Sequence, residues 1–156
     1  MLLNHYTAFL EKHMLSRLGS MIDEKGKTLT FSGFENQMRE ALLPFLLHQN
    51  ASVIVGSDNT AETGDSYCLK KQITSGINLG LAKSVVDNDD GSHSSIVIAN
   101  CTNTSSEPIT IGEIGLRVYV TYLGGNYVVV DRTPLGTPLT IQPGEVGRIV
   151  YTITMS

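Results

Sequence analysis

From Ala51 onward the chain changes its period. Apolar residues that recur every three or four positions before that point begin to alternate with polar ones, most clearly in "EIGLRVYVTY". Ile114, Leu116, Val118, Val120 and Tyr122 fall on one side of an extended chain; Gly115, Arg117, Tyr119 and Thr121 fall on the other. Successive side chains of a strand point to opposite faces, so this alternation specifies a half-buried strand and is incompatible with a helix. Runs of the same kind are "ASVIV", "YCLKKQI", "INLGLAKSVV", "SSIVIANCT", "YVVVDR", "PLTI" and "VGRIVYTITM". The last of these places Ile149, Tyr151, Ile153 and Met155 on one face. "LGGN" reads as a hairpin turn, "QPGE" as a second turn, and the glycine inside "INLGLAKSVV" as a bulge. Seven or eight short strands at this spacing predict an antiparallel β-sandwich, Ig-like or jelly-roll-like, over residues 51–156.

Residues 1–50 read differently. Leu3, Tyr6, Leu10, Met14 and Leu18 form a stripe at helical spacing, with Gly19 as its stop. "DEKGK" makes a turn and "TLTF" a short strand. Ser32 and Glu35 then have capping-box spacing ahead of Phe34, Met38, Leu42 and Phe45, and Pro44 ends or kinks that second helix. The expected fold class is therefore α+β, with a helical N-terminal arm over 1–50 used for attachment and the sandwich over 51–156.

Charge narrows the function. The formal net charge is −4. Residues 1–50 carry five acidic and five basic side chains and the remainder ten and six, so the sandwich is mildly acidic and unsuited to direct contact with nucleic acid. The longest apolar run, Ala41 to Leu47, contains Pro44 and falls far short of the ~20 residues that cross a bilayer. Glu11 and Lys12 interrupt the first apolar stretch, which argues against a secretory signal and for a protein that stays in the compartment where it is made. In such a compartment the expected state of Cys68 and Cys101 is two reduced, buried thiols, although spacing alone does not decide whether they pair.

Each candidate site fails a specific chemical requirement. In "DNDDG", Asp87 to Gly91, an EF-hand register that sets Gly91 at position 6 puts Val86 and Val97 at the ligand positions 1 and 12, so the cluster reads as a hairpin turn. His5, His13, His48 and His93 lack the i, i+4 pairing of a helical zinc site. No serine stands in a G-x-S-x-G elbow. Gly56 and Gly64 have no following lysine and helix to make a phosphate loop. Lys70 and Lys71 read as surface residues of a strand. Asn50, Asn100 and Asn103 match the glycosylation pattern, which matters only in a secretory pathway. Glu113 is the one strand carboxylate in an apolar setting, expected to bond a backbone N–H or an arginine such as Arg117 or Arg132. The assignment is accordingly no catalytic, metal-binding or cofactor-binding residue, and no cofactor.

One resemblance goes further. "VIVGSDNTAETGDSYCL" resembles a segment of small β-sandwich virion proteins of tailed bacteriophages and prophages: an apolar strand, a Gly-Ser/Thr-Gly-Thr-Thr loop, then Asp-Tyr-x-Leu. "IVIANCTNTSSEPITIGEIGL" is similar to that family's strand, Asn-Thr-Ser turn and Ile-x-Glu-Ile-Gly-Leu strand. "YVVVDRTPLGTPLTIQPGEVGRIVYTI" is similar to its ending. The match covers residues 51–156. It departs from the pattern at Asp58, which stands where glycine is usual; aspartate tolerates a left-handed backbone better than most residues.

The resemblance implies a non-enzymatic structural component of a phage particle, assembled in the bacterial host cytoplasm and present in many copies. Its partners would be other virion proteins of the capsid, collar or tail, with no nucleic acid or membrane contact. A single sandwich without fibre repeats or heptads points to a head-associated decoration or auxiliary protein. The alternative is a tail, baseplate or fibre-associated module that binds a receptor or carbohydrate, with Tyr119, Tyr122 and Tyr127 as stacking faces.

Overall fold

The structure, a computed structural model, describes residues 18–32, 51–63, 66–87, 89, 93–120 and 125–155. Eight antiparallel strands lie within them: β1 (Leu18–Ile22), β2 (Thr28–Ser32), β3 (Ala51–Gly56), β4 (Ile77–Asp87), β5 (His93–Asn103), β6 (Ile109–Val120), β7 (Asn126–Ile141) and β8 (Val146–Met155). β1 and β2 form a hairpin, and the rest make two three-stranded sheets ordered β3-β6-β7 and β4-β5-β8. Val53, Val55, Ile111, Ile114, Leu116, Val128 and Val130 of the first sheet share one apolar core with Val97, Ala99, Cys101, Ile149 and Tyr151 of the second. The two sheets thus pack face to face, and the inward positions of Ile114, Leu116, Ile149 and Tyr151 follow the alternation in the sequence.

The α+β expectation is overturned: among the described residues the chain is all-β, with no helix. Leu18 and Gly19, read as the end of a helix, instead pair with Ser32 and Phe31 in a hairpin whose register runs to Ile22↔Thr28. The cause is the turn between them. Asp23, 2% exposed, accepts the N–H groups of Lys25 (3.0 Å) and Lys27 (2.8 Å) on Oδ1, and Gly26 supplies the left-handed backbone (φ 80°). An aspartate turn of this kind reverses the chain tightly, and so gives "TLTF" the preceding "LGSMI" as its partner. The hairpin is not a separate arm. Leu29 is buried in the sandwich core, and the Glu24 N–H donates to the Tyr127 carbonyl at 3.0 Å. The helices expected before Leu18 and over 33–50 lie outside the described residues.

Among the described residues the sandwich also has six strands rather than seven or eight. "YVVVDR" and "PLTI" belong to one 16-residue strand, β7, which follows β6 throughout with two irregularities of register, between Ile111 and Glu113 and between Leu116 and Arg117. Pro134 and Pro138 are tolerated because β7 is a sheet edge. "YCLKKQI" is not a strand. Its only ladder contacts are Ser57 N–H to the Lys71 carbonyl and Ile73 N–H to the Val55 carbonyl, both 2.9 Å, around the Gly56↔Gln72 bridge. The bulge expected at Gly80 is absent, since β4 and β5 pair without interruption from Ile77↔Asn103 to Asp87↔His93.

Those irregularities in β6 and β7 place the polar residues. Ile111 and Ile114 both enter the core, so the two residues between them break the alternation and Glu113 turns to the outer face of its sheet. Gly115 pairs with Arg132 on that same outer face. Ile54, Val129 and Leu69 form a second apolar cluster there, with Leu69 of the β3–β4 connection lying over the sheet.

Candidate functional site

Arg132 is the centre of an extensive polar group among the described residues. It is 1% exposed, yet it sits on an outer sheet face, because the β3–β4 connection crosses over it. Its Nε donates to Glu113 Oε2 at 2.6 Å, Nη1 to Glu62 Oε2 at 3.1 Å, and Nη2 to the Thr60 carbonyl at 3.2 Å and Asp58 Oδ1 at 3.4 Å. All five guanidinium protons point into one plane, and only arginine offers such a fork. Burial alone would lower its pKa; the hydrogen bonds it donates to Glu113 and Glu62, with their charges, outweigh burial and hold it above its ordinary value.

Glu113 is equally enclosed. Oε1 accepts the Lys71 N–H at 2.8 Å, and Oε2 accepts the Lys70 N–H at 3.2 Å in addition to Arg132. The main-chain donors that a strand at "YCLKKQI" would have sent to a neighbour go to this carboxylate instead. Glycine is required where the connection lies down: a Cβ on Gly56 would strike the Glu113 side chain and the Lys71 carbonyl, and one on Gly112 would approach the Ser57 carbonyl to 2.7 Å. Asp58 closes the near end. Its Oδ1 accepts from the Thr60 N–H at 2.9 Å and from the Thr60 hydroxyl, and Lys70 Nζ donates to that hydroxyl and to the Ala61 carbonyl. The hydroxyl and N–H of Thr60, then the charges of Lys70 and Arg132, hold the Asp58 carboxyl below its ordinary pKa against a smaller opposing effect of desolvation.

This lowered pKa has a measurable consequence. A carboxyl whose folded pKa lies below its unfolded value stabilises the fold fully above about pH 4 and loses that contribution as pH falls through the folded value. Urea midpoints of the wild type and Asp58→Asn are expected to fall by different amounts between neutral pH and about pH 3, more steeply in the wild type, since only it has this proton to gain. Parallel pH profiles would refute the assignment.

A second polar tie lies where β5 and β7 end. Asn103, 0% exposed, donates through Nδ2 to the carbonyls of Glu107 (2.8 Å) and Ile141 (2.9 Å). Its Oδ1 accepts the Ser105 N–H (2.9 Å) and hydroxyl (2.7 Å). Its main chain bonds Glu145 at 3.0 Å and Gly144 at 2.9 Å. The side-chain amide therefore ties the end of β5 to the end of β7 and to the turn after β5, and the Asn103 main chain adds the turn after β7.

The remaining sequence candidates fall into place around these two ties. Arg117 is committed to Glu24 (3.2 Å) and Ser52 (3.2 Å), and its guanidinium lies 4.0 Å over the ring of Tyr127. Tyr127 also meets Tyr119 at 4.9 Å between centroids, so the stacking face proposed for a sugar is occupied by the chain itself; Tyr122 lies outside the described residues. Cys68 and Cys101 are free thiols. Burial raises both pKa values, with the Glu113 and Glu24 charges adding to the effect at Cys68, which makes them poor nucleophiles. The Asn103 side chain is consumed and enclosed, so it offers no glycosylation site, whereas Asn100 is exposed on β5. Of "DNDDG" only Asp87 and Asp89 are described, and His5, His13 and His48 are not. Among the described residues no group of three His, Cys, Asp or Glu side chains is placed to hold a metal, and no helix is long and apolar enough to cross a membrane.

What sequence reasoning missed is the partnership of Asp58 and Glu62 with Arg132. The available signal was "VVVDR": an arginine inside a strand this apolar needs a buried counter-ion. Comparison of the chain with protein-family models, curated proteins and solved structures finds no match.

Proposed function

We propose that this chain is a non-enzymatic structural protein of a tailed-phage particle, held there in many copies by contacts with other virion proteins. The observation that carries the reading is where the resembling segments lie. "VIVGSDNTAETGDSYCL" supplies Asp58 and Glu62, and Lys70 and Lys71 directly after it supply the N–H groups that grip Glu113; "IGEIGL" supplies Glu113; "VVVDR" supplies Arg132. "NTSSEP" and "QPGE" meet at Asn103. The resembling motifs therefore include Glu113, Arg132 and Asn103, which tie the framework together, while Asp58 is this chain's own departure from the pattern. Glu113, the strand carboxylate with the best setting for acid–base work, is 0% exposed and bound by three donors, so a substrate has no route to it.

A head-side position, as a decoration or auxiliary protein, suits a small single sandwich. Many copies on a shell compensate for modest affinity at each contact. Mass spectrometry of purified particles is expected to find this polypeptide, and electron microscopy of particles carrying a labelled copy is expected to place the label on the head. Particles that lack the polypeptide would overturn the proposal; label confined to the tail would overturn the head assignment alone.

A further inference from the structure

The two outer faces of the sandwich are treated unequally. The chain folds its own β3–β4 connection over one of them, sealing Ile54 and Val129 beneath Leu69. Among the described residues, the outer face of β4-β5-β8 has no such cover. Val146 is 59% exposed, Val150 53% and Val86 42%, and Ile96 and Ile98 are half-buried at the centre. Arg148 is the one charged side chain among the described residues of this face. An antiparallel sheet with one face in water ordinarily sets polar residues outward along every strand; this one does so in part, and interrupts the polar residues on each strand with Val86, Ile96, Ile98, Val146 and Val150.

The relief of the face is also lopsided. The register aligns Val150, Ile98 and Ala82 in one row, Arg148, Asn100 and Gly80 in the next, and Thr152, Ile96 and Ser84 on the other side. The β8 side is therefore a ridge and the β4 side a shallow trough. Gly80 deepens that trough, and nothing among the described residues requires a glycine there. It has no positive φ, the register passes through it unbroken, and a Cβ built on it would meet nothing nearer than the Asn100 carbonyl at 4.0 Å. Glycine weakens a strand interior and marks places where another chain comes close. Gly147, by contrast, is explained at once by Ile141, which a Cβ would strike at 2.6 Å.

We infer that this face is the contact between two copies of the chain, packed sheet against sheet about a two-fold axis parallel to the strands. Such an axis sets the β8 ridge of each copy over the β4 trough of the other. Val150 meets Ala82, and the stem of Arg148 crosses Gly80 with its head directed to the amide of Asn100. Three strands of this length offer about 500 Å² per copy from strand rise and spacing. The total of about 1,000 Å² sits at the lower limit for a specific interface, which suits copies brought together at high local concentration. The inference rests on the many-copy reading for that concentration, and on the geometry for the face.

Sedimentation equilibrium of the full chain from about 10 µM to about 1 mM is expected to show a monomer–dimer equilibrium, because interfaces of this size bind weakly. Gly80→Thr is expected to weaken dimerisation at least tenfold with an unchanged circular dichroism spectrum, since a β-branched residue suits the strand and only the partner is displaced. Val150→Asp, at an exposed position, is expected to do the same. A monomer throughout the range, or a dimer indifferent to both substitutions, would overturn the inference. Neither result would touch the particle reading, which fails only if purified particles lack the polypeptide.

Discussion

Arg132→Met is expected to destabilise the protein by about 3–5 kcal/mol, the range for removing one partner from a buried ionic group. The substitution keeps most of the apolar stem and takes away only the fork, so the loss is electrostatic rather than a cavity. Glu113, 0% exposed, would keep two backbone donors and lose its cation; Glu62, whose side chain is 7% exposed, would lose its ion pair; Asp58 would lose the contact at 3.4 Å. Against a total stability of about 5–15 kcal/mol for an ordinary domain, that is a large share. The chain has no tryptophan, so far-UV circular dichroism and tyrosine fluorescence in urea are the appropriate probes. A change below about 1 kcal/mol would place this group in the class of solvent-screened surface pairs and refute its central place in the fold.

Two companion variants separate charge from shape. Glu113→Gln leaves Arg132 its contacts with Glu62, Asp58 and Thr60. Its one carbonyl oxygen, however, can replace only one of the two carboxylate oxygens that accept from Lys71 N–H and from Lys70 N–H with Arg132 Nε. Its NH₂ group then faces a donor, so its cost should include that lost acceptor as well as the lost charge. The double variant should cost less than the sum of the singles, because residues in one network are coupled by about 0.5–3 kcal/mol. Strict additivity would mean that Glu113 and Arg132 merely lie side by side.

The sequence made the sandwich strands legible and left their connections obscure, for a physical reason. Alternation is a property of one strand, so β3, β5 and the inward set Ile114, Leu116, Ile149 and Tyr151 could be read directly. Register and main-chain partnership are properties of two segments at once. "YCLKKQI" alternates well enough to pass for a strand, and nothing in it says that its N–H groups will be claimed by Glu113, some forty residues away. Glu113 itself was expected to bond a backbone N–H or an arginine, and it bonds both. That the arginine is Arg132 and not Arg117 depends on register irregularities in β6 and β7 that no periodicity reveals. Leu18 failed for a related reason. It completes a helical stripe, but five consecutive pairs across an aspartate turn outweigh a weak helical preference. Asp58 and Glu62 looked like the polar residues of any connection, and only their common partner distinguishes them.

Asn103→Ala is expected to cost about 2–4 kcal/mol, counting a desolvation penalty of about 1–3 kcal/mol for each buried group left unsatisfied. The amide uses all four of its hydrogen-bonding positions, two donors and two acceptors. Truncation would leave the Ile141 carbonyl at the end of β7 without this donor, in a place water reaches poorly, and would free the Ser105 side of the β5–β6 turn. The damage should be local before it is global. Hydrogen exchange is expected to quicken first at residues 104–108, the turn the side-chain amide holds, and less at 142–146, where the Asn103 main chain still bonds Glu145 and Gly144. The Val97 and Leu116 amides stay protected, since local opening draws on the less stable elements. Asn103→Asp provides the discriminating case. It preserves the acceptors for Ser105 but removes both donors and brings a buried charge, so it should be at least as costly as alanine at neutral pH and recover part of the loss in acid, where the added carboxyl is neutral. An aspartate variant as stable as the wild type at neutral pH would show that the donors to Glu107 and Ile141 contribute nothing, and that the turn is held by its own backbone bonds.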